Sequence, residues 1–250
     1  MKLAIITAHA GADTLQECAS SWGFTQVAKP LLGMTSADFD LTGKLPALYV
    51  VNGQQGMLPA YQAAFEICKA DVLAFLHDDL IVKEPYQEVW SRVLDEFQDP
   101  QVGLLGFGGA KDHGDPQIYK IPYDYRQLGR SRFMSNMEDA EVHGQRFTGS
   151  TEVAVLDGFA LIVRRELLEK AGGWPIGTPI GYVAYDYWLC CMAHRLGYEI
   201  RLVGVACKHY GGATFVKLGH GKSEAAWQQY VDAHRYIYDE FRDVLPWRCA

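Results

Sequence analysis

Val72-Leu73-Ala74-Phe75-Leu76-His77-Asp78-Asp79 runs five apolar residues without a break into an imidazole and two carboxylates. A short continuous apolar run reads as a strand buried on both faces, and in a parallel sheet the carboxyl ends of such strands are where ligands bind. Upstream, Leu3 to Ala8 and Leu48 to Val51 are runs of the same kind. The first is followed by a helical pattern from Asp13 to Trp22. The second passes through a loop at Asn52 to Gly56 into a helix over residues 57 to 69, where Pro59 suits the first turn and Tyr61, Ala64, Phe65 and Cys68 share one face. Downstream, Pro85 opens a helix with Tyr86, Val89, Val93, Leu94 and Phe97 as its apolar stripe, and Val102 to Phe107 is another strand. This alternation predicts an α/β fold with a mostly parallel central sheet covered by helices on both faces.

Residues 108 to 150 break the rhythm with Gly108-Gly109, Gly114, Asp115-Pro116 and several tyrosines and arginines, and read as a long irregular segment that is functional or mobile. Periodicity returns with strands at Val153 to Leu156 and Phe159 to Val163, separated by Asp157-Gly158. A helix from Arg165 to Ala171 ends at Gly172-Gly173, another spans Asp186 to Leu196 with Gly197 as its stop, and short strands follow at Ile200 to Val203 and Val205 to Cys207. Residues 223 to 245 form a long amphipathic helix carrying Trp227, Tyr230, Val231, His234, Tyr238 and Phe241 on one side. The expected organisation is one integrated domain with halves at 1–107 and 108–250.

Composition narrows the function classes. The 250 residues carry 23 Lys and Arg against 30 Asp and Glu, a formal charge of −7, with 49% hydrophobic residues, which excludes a disordered or collagen-like chain. The acidic balance argues against a protein that works by neutralising nucleic-acid phosphates, so no nucleic-acid partner is expected. The six cysteines show no C-x-x-C pair and read as buried free thiols. Leu3 to Ala8 is too short for a signal-peptide core, and no apolar run has the length of a membrane span. A cytoplasmic protein is expected, with peripheral contact at the inner face of a membrane as an option. Asp232, Asp239, Glu240 and Asp243 would oppose anionic lipid, which favours packing of the last helix on the core.

Three constellations can carry chemistry. Asp78 and Asp79 at a buried strand end need neutralising, which Mn²⁺ or Mg²⁺ would do while leaving positions for phosphate oxygens; a solvated turn or a cap for the helix near Pro85 is the plainer role. Asp186, in Tyr185-Asp186-Tyr187-Trp188, stands at a helix start, either as an N-terminal cap or as a partly desolvated general base. Cys207-Lys208-His209-Tyr210-Gly211-Gly212 offers an imidazole and flexible backbone, with Lys217, His220 and Lys222 as a small positive cluster suited to a diphosphate. Trp174, Tyr185 and Tyr187 suit either stacking on a sugar or core packing.

In this order the segments resemble the family 2 glycosyltransferases with the GT-A fold. Asn52 to Leu80 is similar to that family's Asn/Gly-rich loop, small-residue helix and strand ending in a D-x-D-type motif; Val155 to Trp174 is similar to its acceptor-side segment; Tyr185 to Tyr198 resembles its Glu-Asp-x-Asp-Leu-x-x-Arg stretch. The resemblance implies a Rossmann-like sheet and metal-dependent inverting transfer from a nucleoside diphosphate sugar to a glycan or lipid-linked saccharide. It makes residues 1–107 the donor half and 108–250 the acceptor and catalytic half. It implies that Asp79 with Asp78 and His209 holds the metal, that Thr7, Ala8, His9, Asn52, Gln62 and Asp78 line the nucleotide, and that Lys217 and Lys222 meet the diphosphate. It further implies Asp186 as the base and Asp157, Gly158, Trp174 and Tyr185 on the acceptor side. Asn52 stands where the family usually has Asp, and Tyr185 and Trp188 where it has acids. The missing acids at Tyr185 and Trp188 keep a catalytically silent nucleotide-sugar or glycan-binding module as an alternative, and a metal-dependent nucleotidyltransferase is the other.

Overall fold

The computed structural model describes residues 1–9, 14–24, 35–37, 47–53, 56–112, 133–211, 224–245 and 249. Lys217, His220 and Lys222, together with the side chain of Asn52, lie outside the described residues. The elements are, in order, β1 (Leu3–His9), α1 (Leu15–Ser21), β2 (Thr35–Ala37), β3 (Ala47–Asn52), α2 (Met57–Ile67), β4 (Val72–Leu76), β5 (Leu80–Val82), α3 (Tyr86–Glu96), β6 (Val102–Gly106) and β7 (Gly108–Ala110). They continue with β8 (Phe133–Ser135), α4 (Ala140–His143), β9 (Gln145–Arg146), β10 (Gly149–Glu152), β11 (Val155–Leu156), β12 (Ala160–Arg164), α5 (Arg165–Ala171), α6 (Tyr185–Arg195), β13 (Glu199–Gly204), β14 (Cys207–His209) and α7 (Glu224–Glu240).

An eight-stranded sheet of order β10-β13-β6-β12-β4-β1-β3-β2 is the spine. Strands β3, β1, β4, β6 and β13 run the same way, while β2, β12 and β10 oppose them. The alternation of side chains along each strand builds two cores. Ala4, Ile6, Leu73, Phe75, Leu161 and Val163 point to the layer formed by α2, α5, α6 and α7. Ile5, Val72, Ala74, Leu76 and Ile162 point to the layer of α1 and α3. Both faces are covered, which is why the strands read as unbroken apolar runs.

The antiparallel insertion of β12 positions the site. Ala160 pairs with Leu76, so Asp157, Gly158 and Phe159, just before β12, reach the same edge as His77, just after β4. The Arg164-Arg165 pair secures this arrangement from the other end. Arg164 donates to the carbonyls of Val102, Phe97 and Asp99, tying β12 to the loop between α3 and β6. Arg165 donates to the carbonyls of Phe65 and Cys68 at the end of α2 and lies over the Phe65 ring at 4.7 Å.

The structure departs from expectation in the middle of the chain. The described parts of 108–150 are not irregular, since β7, β8 and β9 join β11 in a four-stranded sheet. Strands of two or three residues paired across long sequence gaps carry no readable period. The strand expected at Val205 to Cys207 is shifted to β14, because the Ala206 amide donates to the Glu84 carboxylate and is lost to the ladder with β5. The last helix ends at Glu240, short of residue 245, and buries Ala226, Val231, Ala233 and Ile237. No helix among the described residues is long and apolar enough to cross a membrane.

Candidate active site at the carboxyl edge of the sheet

Between β4 and β5 the chain has only His77, Asp78 and Asp79 in which to turn, and backbone contacts hold all three. The His77 amide donates to Phe159 at 3.0 Å, Thr14 Oγ1 donates to the Asp78 carbonyl at 2.9 Å, and the Tyr210 amide donates to the Asp79 carbonyl at 3.1 Å. Strand β14 runs antiparallel to β5 with His209 opposite Leu80, which brings the imidazole beside Asp79. Phe159 stacks on His209 with ring centres 4.9 Å apart.

Three side chains converge there. His209 Nε2 lies 3.1 Å from Asp79 Oδ1, His77 Nδ1 lies 3.9 Å from the same oxygen, and the two imidazoles approach to 3.3 Å. Burial opposes charge on His209 and on Asp79, but their mutual attraction outweighs it, raising the histidine's pKa and lowering the carboxyl's. His77 is pushed down to about 4 by burial and by the neighbouring His209, so it is neutral at physiological pH with a lone pair to offer. Asp79 Oδ1 is buried and has no hydrogen-bond partner of good geometry among the described residues. Two imidazole nitrogens and one carboxylate oxygen, all within 4.8 Å of one another, fit a divalent cation.

Asp186 belongs to the other half of the site. It lies inside the first turn of α6, whose N-cap is Ala184 in the left-handed conformation at φ 65°, so the plain capping role is not the one it plays. Its Oδ2 accepts the Gly158 amide at 3.1 Å and its Oδ1 accepts the Tyr187 amide at 2.9 Å. Burial, helped by the nearby Asp157 charge, raises its pKa from 3.8 to about 7, where a carboxylate can take up a proton at working pH. The adjacent Tyr185 is buried, and its hydroxyl lies 2.8 Å from His77 Nε2. One hydrogen bond therefore joins the helix that carries Asp186 to the cluster of His77, Asp79 and His209.

The remaining expected residues are distributed around this axis. Asp78 Oδ2 pairs with His9 Nδ1 at 2.9 Å at the end of β1, and burial raises the Asp78 pKa. Thr7 and Ala8 precede His9, and the Thr7 hydroxyl is fully buried with no hydrogen-bond partner among the described residues. The backbone of Asn52 is in register with His9. Gln62 lies beside Trp174 rather than beside Thr7 to His9, and its Oε1 accepts the Trp174 amide at 2.8 Å. Trp174 is 4% exposed and packs on Phe75 and Tyr61, as a core residue does. Asp157 is exposed and accepts the Phe159 amide at 3.2 Å. Sequence reasoning missed His77. Its signal was its place, directly after a buried strand and directly before two acids.

Residues 46–230 match the family described as "Glycosyltransferase like family". No curated protein matches the chain in sequence. Among solved structures, the chain is similar to the mannosyltransferase PcManGT from Pyrobaculum calidifontis in complex with GDP-Man and Mn²⁺, at 15% identity and a TM-score of 0.50 over 95% of this chain and 70% of that one. It is also similar to glucosyl-3-phosphoglycerate synthase from Mycobacterium tuberculosis in complex with Mg²⁺ and UDP, at 14% identity and a TM-score of 0.51 over 96% and 79%. A third likeness is to GalNAc-T7 with UDP, GalNAc and Mn²⁺, at 13% identity and a TM-score of 0.60 over 97% of this chain and 49% of that one.

Proposed function

The chain belongs to the glycosyltransferase like family, and on that premise we propose that it moves a sugar, with inversion, from a nucleoside diphosphate sugar to a hydroxyl of a glycan or lipid-linked saccharide. The observation that carries this reading is Asp186, a carboxylate with its pKa raised to about 7, joined through Tyr185 and His77 to a cation-binding cluster on the opposite side of the same edge. Asp186 removes the proton from the attacking hydroxyl, and its two backbone hydrogen bonds hold the carboxylate in orientation as it does so.

His77, Asp79 and His209 would hold the metal. A bound divalent cation supplies charge stabilisation for the departing diphosphate. Two nitrogens and one oxygen suit Mn²⁺ better than Mg²⁺, which prefers oxygen throughout. Asp78, steadied by His9, faces the nucleotide side, and Lys217 and Lys222 are assigned to the diphosphate from the family resemblance. The two carboxylates thus have separate tasks, Asp79 on the donor and Asp186 on the acceptor. Retention of Asp186 with a base-like proton affinity supports a working transferase over a silent binding module.

The test is a melting-temperature screen of UDP, GDP, dTDP and CMP and their common sugar conjugates, with and without Mn²⁺, followed by turnover of the donor that binds. A ligand selective for the folded state raises the melting temperature. We expect a Mn²⁺-dependent rise for one nucleotide, lost in Asp79→Ala and kept in Asp186→Asn, while Asp186→Asn lowers turnover by orders of magnitude. Full turnover by Asp186→Asn removes it as the base.

A further inference from the structure

Tyr185 takes the position that acids hold in the resembling family, yet its side chain is not placed to meet a substrate. It is 4% exposed, its ring is wedged among Tyr61 and Trp174, and its hydroxyl oxygen is spent on His77 Nε2 at 2.8 Å. On the far side of the same imidazole, His77 Nδ1 faces His209 Nε2 at 3.3 Å and Asp79 Oδ1 at 3.9 Å. The two ring nitrogens of a neutral histidine cannot both be lone-pair donors: one carries hydrogen, and the partner of the other decides which. Only the tautomer with hydrogen on Nε2 leaves the Nδ1 lone pair directed into the cluster.

We propose that Tyr185 is a positioning residue for the metal site, its hydroxyl oxygen accepting the His77 Nε2 hydrogen and thereby fixing the tautomer and ring angle that present Nδ1 to Mn²⁺. The inference rests on the metal reading above. Two further features support a site built around this contact. Gly158 has no side chain where a β-carbon would fall 1.9 Å from the Tyr185 oxygen, so the chain leaves room for the hydroxyl. The His77 amide is fixed to Phe159, the residue after Gly158, so ring and backbone are located by the same segment. Because Tyr185 directly precedes Asp186, the contact also sets the start of α6, and with it the base, relative to the metal. Partners of this kind cost about 10–100-fold in metal affinity when removed.

The experiment titrates Mn²⁺ alone into the full chain, read by electron paramagnetic resonance, for wild type, Tyr185→Phe, His77→Ala and the double variant. Electron spin-echo modulation reports the nitrogens bound to Mn²⁺. Tyr185→Phe is expected to weaken Mn²⁺ binding about 10–100-fold and to diminish the nitrogen signal, with no further effect when His77 is already Ala. Wild type that binds no Mn²⁺ overturns the metal reading and this proposal with it. Wild-type binding with unchanged affinity and nitrogen signal in Tyr185→Phe overturns the proposal alone. Should Tyr185→Phe fail to fold, nitrogen-15 spectra of the wild-type histidines with Mg²⁺ decide: hydrogen on Nε2 of His77 is expected, and hydrogen on Nδ1 overturns the assignment.

Discussion

A β-carbon added to Gly158 would lie 1.9 Å from the hydroxyl oxygen of Tyr185, while the Gly158 amide donates to Asp186 at 3.1 Å. The glycine is thus gripped from both sides by the first turn of α6. Its substitution cannot relieve one contact without disturbing the other. We expect Gly158→Ala to lower turnover at least ~100-fold and to destabilise the fold by about 1–3 kcal/mol, the usual cost of overpacking a tight site. Steady-state kinetics and a urea melt check both, and a variant with wild-type turnover would show that the Tyr185 and Asp186 contacts are not needed together.

Burial of Asp186 has two pH consequences of opposite use. As a base it must be ionised, so kcat should fall about tenfold per pH unit below its pKa of about 7, and that limb should vanish in Asp186→Asn. For stability, the folded chain keeps a proton on Asp186 between pH 3.8 and about 7 that the unfolded chain releases. Stability therefore declines as pH rises through that window and levels off above it. His194 and His234, buried and lowered from 6.5 to about 4, act in the reverse sense, their contribution being full above pH 6.5 and lost as pH falls. The Asp186 part is isolated by comparing wild type with Asp186→Asn: the lost backbone acceptor adds a constant cost to the variant, and on top of it the difference should move in the variant's favour by at most ~4 kcal/mol between pH 4 and pH 8. Parallel stability curves for the two proteins would mean that the carboxyl titrates normally.

Asp79 carries the only carboxylate of the candidate cation site among the described residues. Asp79→Asn keeps the shape and removes the carboxylate charge that lies closest to the two imidazoles. Mn²⁺ affinity measured by calorimetry should fall at least ~100-fold, with nucleotide binding becoming insensitive to metal. Metal-enhanced nucleotide binding that persists in the variant would place the cation elsewhere.

The features legible in the chain and those hidden in it divide along physical lines. Strand β4 and its acidic end were legible because full burial on both faces forces an unbroken apolar run, and the polar triplet His77-Asp78-Asp79 marks the point where that burial ends. Asp186 was legible as either a cap or a base, and the sequence could not separate the two, since cap and first-turn positions differ by residues that only the left-handed Ala184 identifies. His77 was hidden by the carboxylates beside it. The contact between His77 and Tyr185 spans 108 residues and has no local signature. Strands β7, β8, β9 and β11 have two or three residues each and owe their existence to one another.

Arg165 tests whether the acceptor-side sequence block is chemistry or carpentry. It donates to the carbonyls of Phe65 and Cys68, which would otherwise be unpaired at the end of α2, and it covers the Phe65 ring. Arg165→Met keeps the apolar stem and removes the donors. We expect a loss of about 2–4 kcal/mol in stability, since hydrogen bonds from charged donors to buried carbonyls are the costlier ones to break. The KM for the acceptor should change by less than about twofold where the variant is folded. A large rise in that KM with unchanged stability would instead make Arg165 an acceptor contact.

Trp22 supports the site from behind. It is fully buried between α1 and the turn into β5, its indole Nε1 donates to the Leu80 carbonyl at 3.0 Å, and its own carbonyl accepts the Trp90 indole at 3.2 Å. Leu80 directly follows Asp79, so one tryptophan anchors the turn that carries His77, Asp78 and Asp79 to both helices of that layer. Trp22→Phe removes the donor and part of the volume while the Trp90 bond, made to backbone, can still form. The loss should be about 2–4 kcal/mol, from an unpaired carbonyl and a cavity together, which for a chain of this size lowers the melting temperature by roughly 4–16 °C. Mn²⁺ affinity should fall with it, because Asp79 loses the support of the residue directly after it. Trp90→Phe, which breaks only the outer bond, should lower stability less and leave Mn²⁺ affinity within about twofold; the opposite ranking would move the anchor from Trp22 to Trp90.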